Sequence, residues 1–185
     1  YDGSVPFKAR IDSVITWFNL EPSIRPQLVM LYFSEPDYTG HKYGVNKDKI
    51  NLSVKEMDKL LGYLHSQLKE LDIYDQLNII ITSDHGMVDV SIDRTIVIDD
   101  YISQTNDLNI EGSGSHIQIS LTEKYKYKTL LHSEIQNIPN CQVWEKDKIP
   151  DRFNFVNSNT GDYLILANEG WFITTKDNRS SKKSM

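Results

Sequence analysis

The chain has 185 residues, a formal net charge of −6 and a single cysteine, Cys141. This length suffices for one domain with a sizeable core, and the apolar and charged fractions are ordinary for a globular protein. The acidic balance argues against a broad basic face for polymeric nucleic acid, no apolar run is long enough to predict a membrane span, and one cysteine excludes a disulfide within the span.

The first predicted element is a helix that covers one face of a core. Pro6 suits the first turn of a helix, Ser4 suits the capping position before it, and Ile11, Val14 and Phe18 follow at helical spacing. We therefore expect an amphipathic helix to begin shortly after Ser4.

A short apolar run over residues 28–33 predicts a buried strand that ends before Pro36, which lacks a backbone donor. Asp37 and His41 follow this strand, and Gly40 between them is interpreted as permitting a tight turn. A carboxylate and an imidazole that face one point form half of a metal site.

A second apolar run, residues 77–82, is followed at once by Asp84 and His85. Between the two runs, leucines recur at steps of three and four residues over 51–71, which predicts a helix with one buried face. A strand–helix–strand unit has parallel strands and a right-handed connection, so both Asp/His pairs are expected at the same carboxyl edge of one sheet.

The rest of the chain predicts further short elements of an α/β domain. Apolar or alternating segments predict strands, a segment rich in Gly and Ser predicts a turn, and one segment predicts a helix. The strands are 95–98, 117–121, 141–144 and 163–167, the turn is 111–115 and the helix is 125–135.

The motifs EPDYTGH at 35–41 and SDHGM at 83–87 together resemble the nucleotide pyrophosphatase/phosphodiesterase family of the alkaline phosphatase superfamily. The segments 1–7 and 161–171 are similar to further parts of that family. The resemblance implies an α/β fold, an alkaline-phosphatase-like three-layer sandwich with a mostly parallel sheet and helices on both faces. It also implies that 1–185 is part of one phosphodiesterase catalytic domain.

The resemblance implies two zinc ions, with Asp37 and His41 as ligands of one and Asp84 and His85 as ligands of the other. Carboxylate and imidazole ligands without thiolate suit zinc. The family's Thr nucleophile and a further Asp ligand are expected upstream of Tyr1, and its last His ligand downstream of the chain. No catalytic nucleophile is therefore predicted here, the chain is interpreted as an internal fragment, and this fragment alone is expected to be inactive.

The resemblance also implies that Tyr1 and Tyr32 bind substrate by stacking on a nucleotide base. For Tyr32, packing in the core of a strand is an alternative interpretation. The remaining histidines, His65, His116 and His132, are interpreted as structural or surface residues, although His116 follows a turn from which it could approach a site.

The predicted function is zinc-dependent hydrolysis of phosphodiester or pyrophosphate bonds in nucleotides or related small phosphoesters. The alternative is a catalytically silent cell-surface ectodomain of the same fold that binds a partner. A sulfatase or phosphomutase is less favoured, because the 35–41 motif belongs to the phosphodiesterase branch. The acceptor triplets at Asn51 and Asn178 agree with an extracellular or cell-surface glycoprotein, with a bacterial periplasmic location as the alternative and any membrane anchor outside this span.

Overall fold

A computed structural model describes residues 2–45 and 47–181, without the side chains of 179–181. Tyr1, one of the two predicted substrate residues, lies outside the described residues. The chain divides into two compact units, Tyr1–Asp89 and Val90–Met185, and each is described by itself.

The first unit is helical. Its helices are α1 (Phe7–Phe18), α2 (Asp37–Tyr43) and α3 (Asp48–Lys69), followed by a 3₁₀ turn at Tyr74–Gln76. Helices α1 and α2 both contact α3, and the buried apolar side chains are Ile11, Val14, Leu68 and Leu71.

Two helices of the first unit were predicted and are confirmed as α1 and α3. Pro6 rather than Ser4 precedes the first residue of α1, and no side chain caps that helix. Ser4 instead donates its backbone N–H and its hydroxyl to Asp2 Oδ1, at 2.8 and 2.7 Å. The cap prediction was wrong because the helix begins at Phe7, which puts Pro6 and not Ser4 at the capping position.

The predicted strands at 28–33 and 77–82 are not strands in the described structure. Neither segment pairs with a neighbour, and both expose apolar side chains, among them Met30 at 89% and Ile80 at 86%. Apolar composition favours a buried strand only where partner strands complete the ladder and another layer covers the face. No such partner is present within the described part of this unit.

The second unit contains all six strands of the described residues. They are β1 (Thr95–Val97), β2 (Leu108–Gly112), β3 (His116–Leu121), β4 (Cys141–Glu145), β5 (Tyr163–Ala167) and β6 (Phe172–Thr174). Strands β1 and β6 form a parallel pair, and the other four form an antiparallel sheet in the order β2-β3-β5-β4. The second unit also contains α4 (Lys128–Gln136) and α5 (Lys176–Ser181).

A well-buried core forms between the antiparallel sheet and α4. Buried residues alternate with partly buried ones along β3, whereas three consecutive residues of β5 are buried. Ile117, Ile119 and Ile165 of these strands have no exposed area, and Leu131 and Ile135 of α4 belong to the same apolar cluster. Two adjacent strands and one helix therefore form a large part of this core.

The elements predicted for the second unit are confirmed with small changes of boundary, but two strands were not predicted. These are β2 and β6, and β2 includes the first part of the predicted turn, so that only 113–115 connect it to β3. None of the helices in the described residues is both long enough and apolar enough to cross a membrane.

Candidate metal centre

The motif at 35–41 forms the start of a helix rather than a turn. Helix α2 begins at Asp37, so Asp37 and His41 are separated by one helical turn and lie on the same face. The prediction that Gly40 permits a tight turn was wrong, because Gly40 is an interior residue of this helix. The i, i+4 spacing alone brings the carboxylate and the imidazole together.

Gly40 instead makes room for the second motif. A Cβ atom at Gly40 would lie inside the contact distance of the Met87 sulfur. Two residues further on, Asp89 Oδ1 accepts a hydrogen bond of 3.1 Å from the backbone N–H of Val45, just after α2. Contacts at both points therefore hold the segment that carries Asp84 and His85 against α2.

Glu35 fixes the beginning of α2. Its Oε2 accepts hydrogen bonds from the backbone N–H of Thr39, at 3.2 Å, and from the hydroxyl of Ser53 on α3, at 2.9 Å. One carboxylate thus satisfies a free N–H in the first turn of α2 and links that turn to α3. The helix that carries Asp37 is thereby positioned by its neighbour.

Both histidines among the four predicted metal ligands lie near Asp37. His41 Nε2 lies 3.4 Å from Asp37 Oδ1, and His85 Nε2 lies 4.0 Å from the same oxygen. His85 Nε2 is also 3.7 Å from Asp84 Oδ2. Two pairs that are remote in sequence therefore share one small region of the first unit.

Asp37 Oδ1 is buried and accepts no hydrogen bond, although the Asp37 side chain as a whole is 42% exposed. A buried carboxylate oxygen normally has a hydrogen-bond donor or a cation as its partner. No group of three or more His, Cys, Asp or Glu side chains in the described residues is arranged to hold a metal ion. The described residues therefore offer two pairs of donors, centred on one oxygen that has no other partner.

The tautomer of His85 follows from its neighbour. His85 Nδ1 lies 2.9 Å from the carbonyl oxygen of Gly86, which only accepts hydrogen bonds, so the neutral ring carries its proton on Nδ1. Its Nε2 then presents a lone pair toward Asp37 and Asp84. The hydrogen bond to Gly86 and the charges of Asp84 and Asp37 raise the pKa of His85, which makes this nitrogen a stronger donor toward a cation.

Tyr32, the second predicted substrate residue, is held through its backbone. Its side chain is 52% exposed, which does not agree with the alternative of a core residue. Its carbonyl oxygen accepts a hydrogen bond of 2.9 Å from Arg10 Nη1. The same buried guanidinium donates to the carbonyls of Val5 and Gly3, at 2.9 and 3.0 Å, and so ties three points of the chain together.

The three other histidines lie outside this cluster. His65 Nε2 is 2.9 Å from the Tyr74 hydroxyl. In the second unit, the ring of His116 contacts Phe155, and the ring of His132 lies near Tyr163.

Sequence reasoning missed the residues that hold the centre in place. Glu35, Met87 and Asp89 contribute through contacts with residues distant in sequence, which periodicity does not reveal. For Arg10, a signal was present, because an arginine on the same helical face as Ile11 and Val14 must find acceptors when that face is buried.

The chain matches known proteins over its whole length. The sequence profile of the family described as type I phosphodiesterase / nucleotide pyrophosphatase matches residues 1–185. Bis(5'-adenosyl)-triphosphatase enpp4 of Xenopus laevis is 37% identical, in an alignment that covers 97% of this chain and 39% of that protein. Human ectonucleotide pyrophosphatase/phosphodiesterase family member 5 is 34% identical over 94% of this chain and 36% of its own length.

Solved structures agree with these sequence matches. Murine ectonucleotide pyrophosphatase/phosphodiesterase 5 superimposes with a TM-score of 0.81 at 30% identity, covering 95% of this chain and 46% of that one. An inactive threonine-to-alanine variant of the murine protein, in complex with AMP, gives the same TM-score of 0.81 at 31% identity.

These matches confirm the predicted fold class, an α/β fold of the alkaline phosphatase type. The chain spans about two fifths of the length of these curated relatives. That the span is part of one catalytic domain stays a prediction. With a profile matched from its first residue to its last, the chain belongs to the type I phosphodiesterase / nucleotide pyrophosphatase family.

Proposed function

We propose that this chain carries the metal-binding part of a zinc-dependent hydrolase that cleaves phosphodiester or pyrophosphate bonds in nucleotides. The observation that supports it most is the convergence of His41 Nε2 and His85 Nε2 on the buried oxygen Oδ1 of Asp37. Family membership supports the same conclusion, since the family is described as phosphodiesterases and nucleotide pyrophosphatases.

These side chains offer acceptor atoms to a cation but no hydrogen bond to one another. Asp37 Oδ1 has no hydrogen-bond donor, and the neutral His85 ring directs an acceptor nitrogen toward it. Acceptor atoms gathered without a shared proton are explained if each of them binds a cation. Carboxylate and imidazole without thiolate suit zinc.

We assign Asp37 and His41 to one zinc ion and Asp84 and His85 to a second. When bound, such ions neutralise charge at a phosphoryl group and lower the pKa of a coordinated hydroxyl. The protein's own contribution is orientation. The bond from His85 to the Gly86 carbonyl fixes that ring, and the backbone N–H of His85 donates to Asp84 Oδ1 at 3.0 Å and fixes that carboxylate.

The nucleophile in this proposal is a Thr hydroxyl outside this chain. The inactive threonine-to-alanine variant of the murine relative supports a threonine in that role. Its complex with AMP supports a nucleotide as the substrate, with Tyr1 and Tyr32 as the residues that stack on the base. The half-exposed ring of Tyr32 is accessible for such a contact.

We also propose an extracellular or cell-surface location. Relatives are named as an ectonucleotide pyrophosphatase and as a venom phosphodiesterase, the latter from Macrovipera lebetinus at 29% identity over 96% of this chain and 22% of its own length. Asn51, in the acceptor triplet 51–53, is exposed on α3. Such triplets are glycosylated only in the secretory pathway.

The test uses the complete protein that contains this chain and the p-nitrophenyl ester of thymidine monophosphate. Turnover is expected to fall below detection after chelation, to return when zinc is added, and to be lost in His85→Ala. His65→Ala, which removes an imidazole hydrogen-bonded to Tyr74 instead, is the matched control and should retain activity. Turnover that persists after chelation, or in His85→Ala, would refute the proposal, and a zinc-loaded protein without turnover would favour a silent ectodomain.

A further inference from the structure

An exposed basic cluster lies beside the candidate metal centre. The ammonium of Lys49, on α3, lies 3.9 Å from the centre of the Tyr43 ring. The ammonium of Lys42, on α2, lies 5.3 Å from the same centre and 5.9 Å from that of the exposed Tyr38. The Tyr43 ring therefore contacts two ammonium groups, one from α2 and one from α3.

These two lysines differ from four other lysines of the chain. Lys8, Lys59, Lys148 and Lys176 each form an ion pair with a carboxylate. Lys42 and Lys49 pair with no carboxylate in the part of the chain that the structure describes, and lie over aromatic rings instead.

Two ammonium groups gathered without a carboxylate repel each other, and a negative group between them would relieve this repulsion. A tyrosine ring attracts ammonium groups through its negative face, but this attraction is modest at an exposed site. An anion between the two ammonium groups would add charge-assisted hydrogen bonds to both. Lysine is a common phosphate binder, since its ammonium acts as a compact point charge.

The position of the cluster relates it to the candidate centre. Along α2, Asp37 and His41 form one strip of side chains and Tyr38 and Lys42 form the next, rotated by about 100° around the helix axis. A phosphoryl group bound by the first strip would thus have the second strip beside it. The remaining phosphates of the same substrate are the nearest anions for Lys42 and Lys49.

We propose that Lys42 and Lys49, held together by the Tyr43 ring, form a subsite for the phosphates of a nucleoside polyphosphate beyond the one that is attacked. The inference rests on the proposed function, because it assumes that a phosphoryl group binds at Asp37 and His41. Such a subsite would favour substrates that contain a pyrophosphate over esters with a single phosphate.

The test compares two substrates in the complete protein. Diadenosine triphosphate contains the additional phosphates, and the p-nitrophenyl ester of thymidine monophosphate does not. The double variant K42Q/K49Q should raise KM for diadenosine triphosphate about three- to tenfold, the range expected for exposed charge pairs, and leave both constants for the ester within about twofold. The charge-matched control K55Q/K69Q, on exposed positions of α3, should change neither substrate.

Two kinetic results would overturn the subsite. Equal losses on both substrates would mean that the lysines act on α2 and the candidate centre as a whole. No change on either substrate would mean that the lysines do not contact the substrate. In the wild type, added salt should weaken the preference for diadenosine triphosphate, and in K42Q/K49Q it should have little further effect.

A binding measurement separates failure of this inference from failure of the proposed function. In calorimetry, the wild type should bind α,β-methylene-ATP more tightly than AMP, and K42Q/K49Q should lose this difference. If the protein shows no turnover but this pattern holds, the subsite stands and the hydrolase proposal fails. If the two nucleotides bind equally to the wild type, or if neither binds, the subsite is refuted.

Discussion

The two units of the chain are stabilised in different ways. In the second unit, eleven buried side chains form one apolar cluster, and several of them have no exposed area. In the first unit, only Ile11, Val14, Leu68 and Leu71 are buried apolar side chains among those described, and the segments 28–33 and 77–82 expose theirs. The unit with the stronger core carries none of the candidate ligands.

The first unit relies more on polar contacts. Arg10 donates to three backbone carbonyls, and Glu35 links α2 to α3. Tyr63 on α3 donates to Asp12 on α1, and Lys8 forms an ion pair with the same carboxylate within α1. Such contacts fix directions accurately but add little net stability each. The candidate centre is therefore positioned by hydrogen bonds and by one close contact at Gly40, whereas the second unit is stabilised by apolar burial.

The largest expected effect is on the core of the second unit. Ile165→Ala removes methyl groups from a side chain with no exposed area and should lower the free energy of unfolding by about 2–5 kcal/mol. Ile80→Ala, at a side chain that is 86% exposed, should change it by less than about 0.5 kcal/mol. Urea denaturation of the 185-residue chain measures both free energies. Equal effects would contradict the claim that apolar burial stabilises the second unit more than the first.

The next effect concerns the buried guanidinium of the first unit. Arg10→Ala leaves the carbonyls of Gly3, Val5 and Tyr32 without their donor and should cost about 1–3 kcal/mol. Arg25→Ala is the matched control, because Arg25 is observed to donate to one carbonyl, that of Leu20, and it should cost less. Hydrogen exchange should show the loss of protection in the first unit, and a loss confined to the second unit would contradict this account.

A smaller effect is expected where the two motifs meet. Gly40→Ala places a methyl group against the Met87 sulfur and should cost about 1–2 kcal/mol through overpacking. Gly62→Ala is the control, because its Cβ would meet no atom within 4 Å, and in the interior of α3 it should stabilise by about 1 kcal/mol. Thermal unfolding distinguishes them, and the same sign for both would show that Gly40 does not accommodate Met87.

A further prediction concerns the reactivity of a cysteine in the second unit and involves no change in stability. Burial raises the pKa of the Cys141 thiol to about 11, so at pH 8 only about one thiol in a thousand is ionised. Alkylation should therefore be about a hundredfold slower than for an exposed cysteine, and should accelerate as the pH rises toward 11. Urea that opens the second unit should abolish this protection, whereas rapid labelling of the native chain would show that Cys141 is not shielded.

Local patterns predicted most of the elements whose partners lie within the chain. Helix α3 follows from its leucine spacing. Strand β5 was predicted from its apolar run at its observed bounds, 163–167, and the structure covers this run with the cluster around Ile165. Strand β2 was missed although Leu108 and Ile110 alternate with polar residues, since the adjacent glycine and serine residues favoured a turn over the whole stretch. The runs 28–33 and 77–82 are as apolar as strands, but a ladder requires a partner that local pattern does not reveal.

For the candidate centre, residue types and spacing pointed to Asp37, His41, Asp84 and His85, and the structure brings them together. How they are brought together could not be predicted. It depends on a contact between Gly40 and Met87 and on a hydrogen bond between Val45 and Asp89, which join residues more than forty positions apart. From sequence alone, a glycine between two ligands suggests a turn. In the structure, Gly40 lies within a helix, and its missing side chain leaves room for Met87.

The proposal that four side chains of the first unit hold two zinc ions is tested most directly by metal content. The complete protein and the variants Asp37→Ala, His41→Ala, Asp84→Ala and His85→Ala would be purified at equal zinc activity and measured by mass spectrometry, with His65→Ala as the control. About two zinc ions are expected in the wild type and in the control, and about one in each of the four variants, since each variant loses a ligand that no neighbour replaces. Unchanged zinc content in all four variants would contradict it.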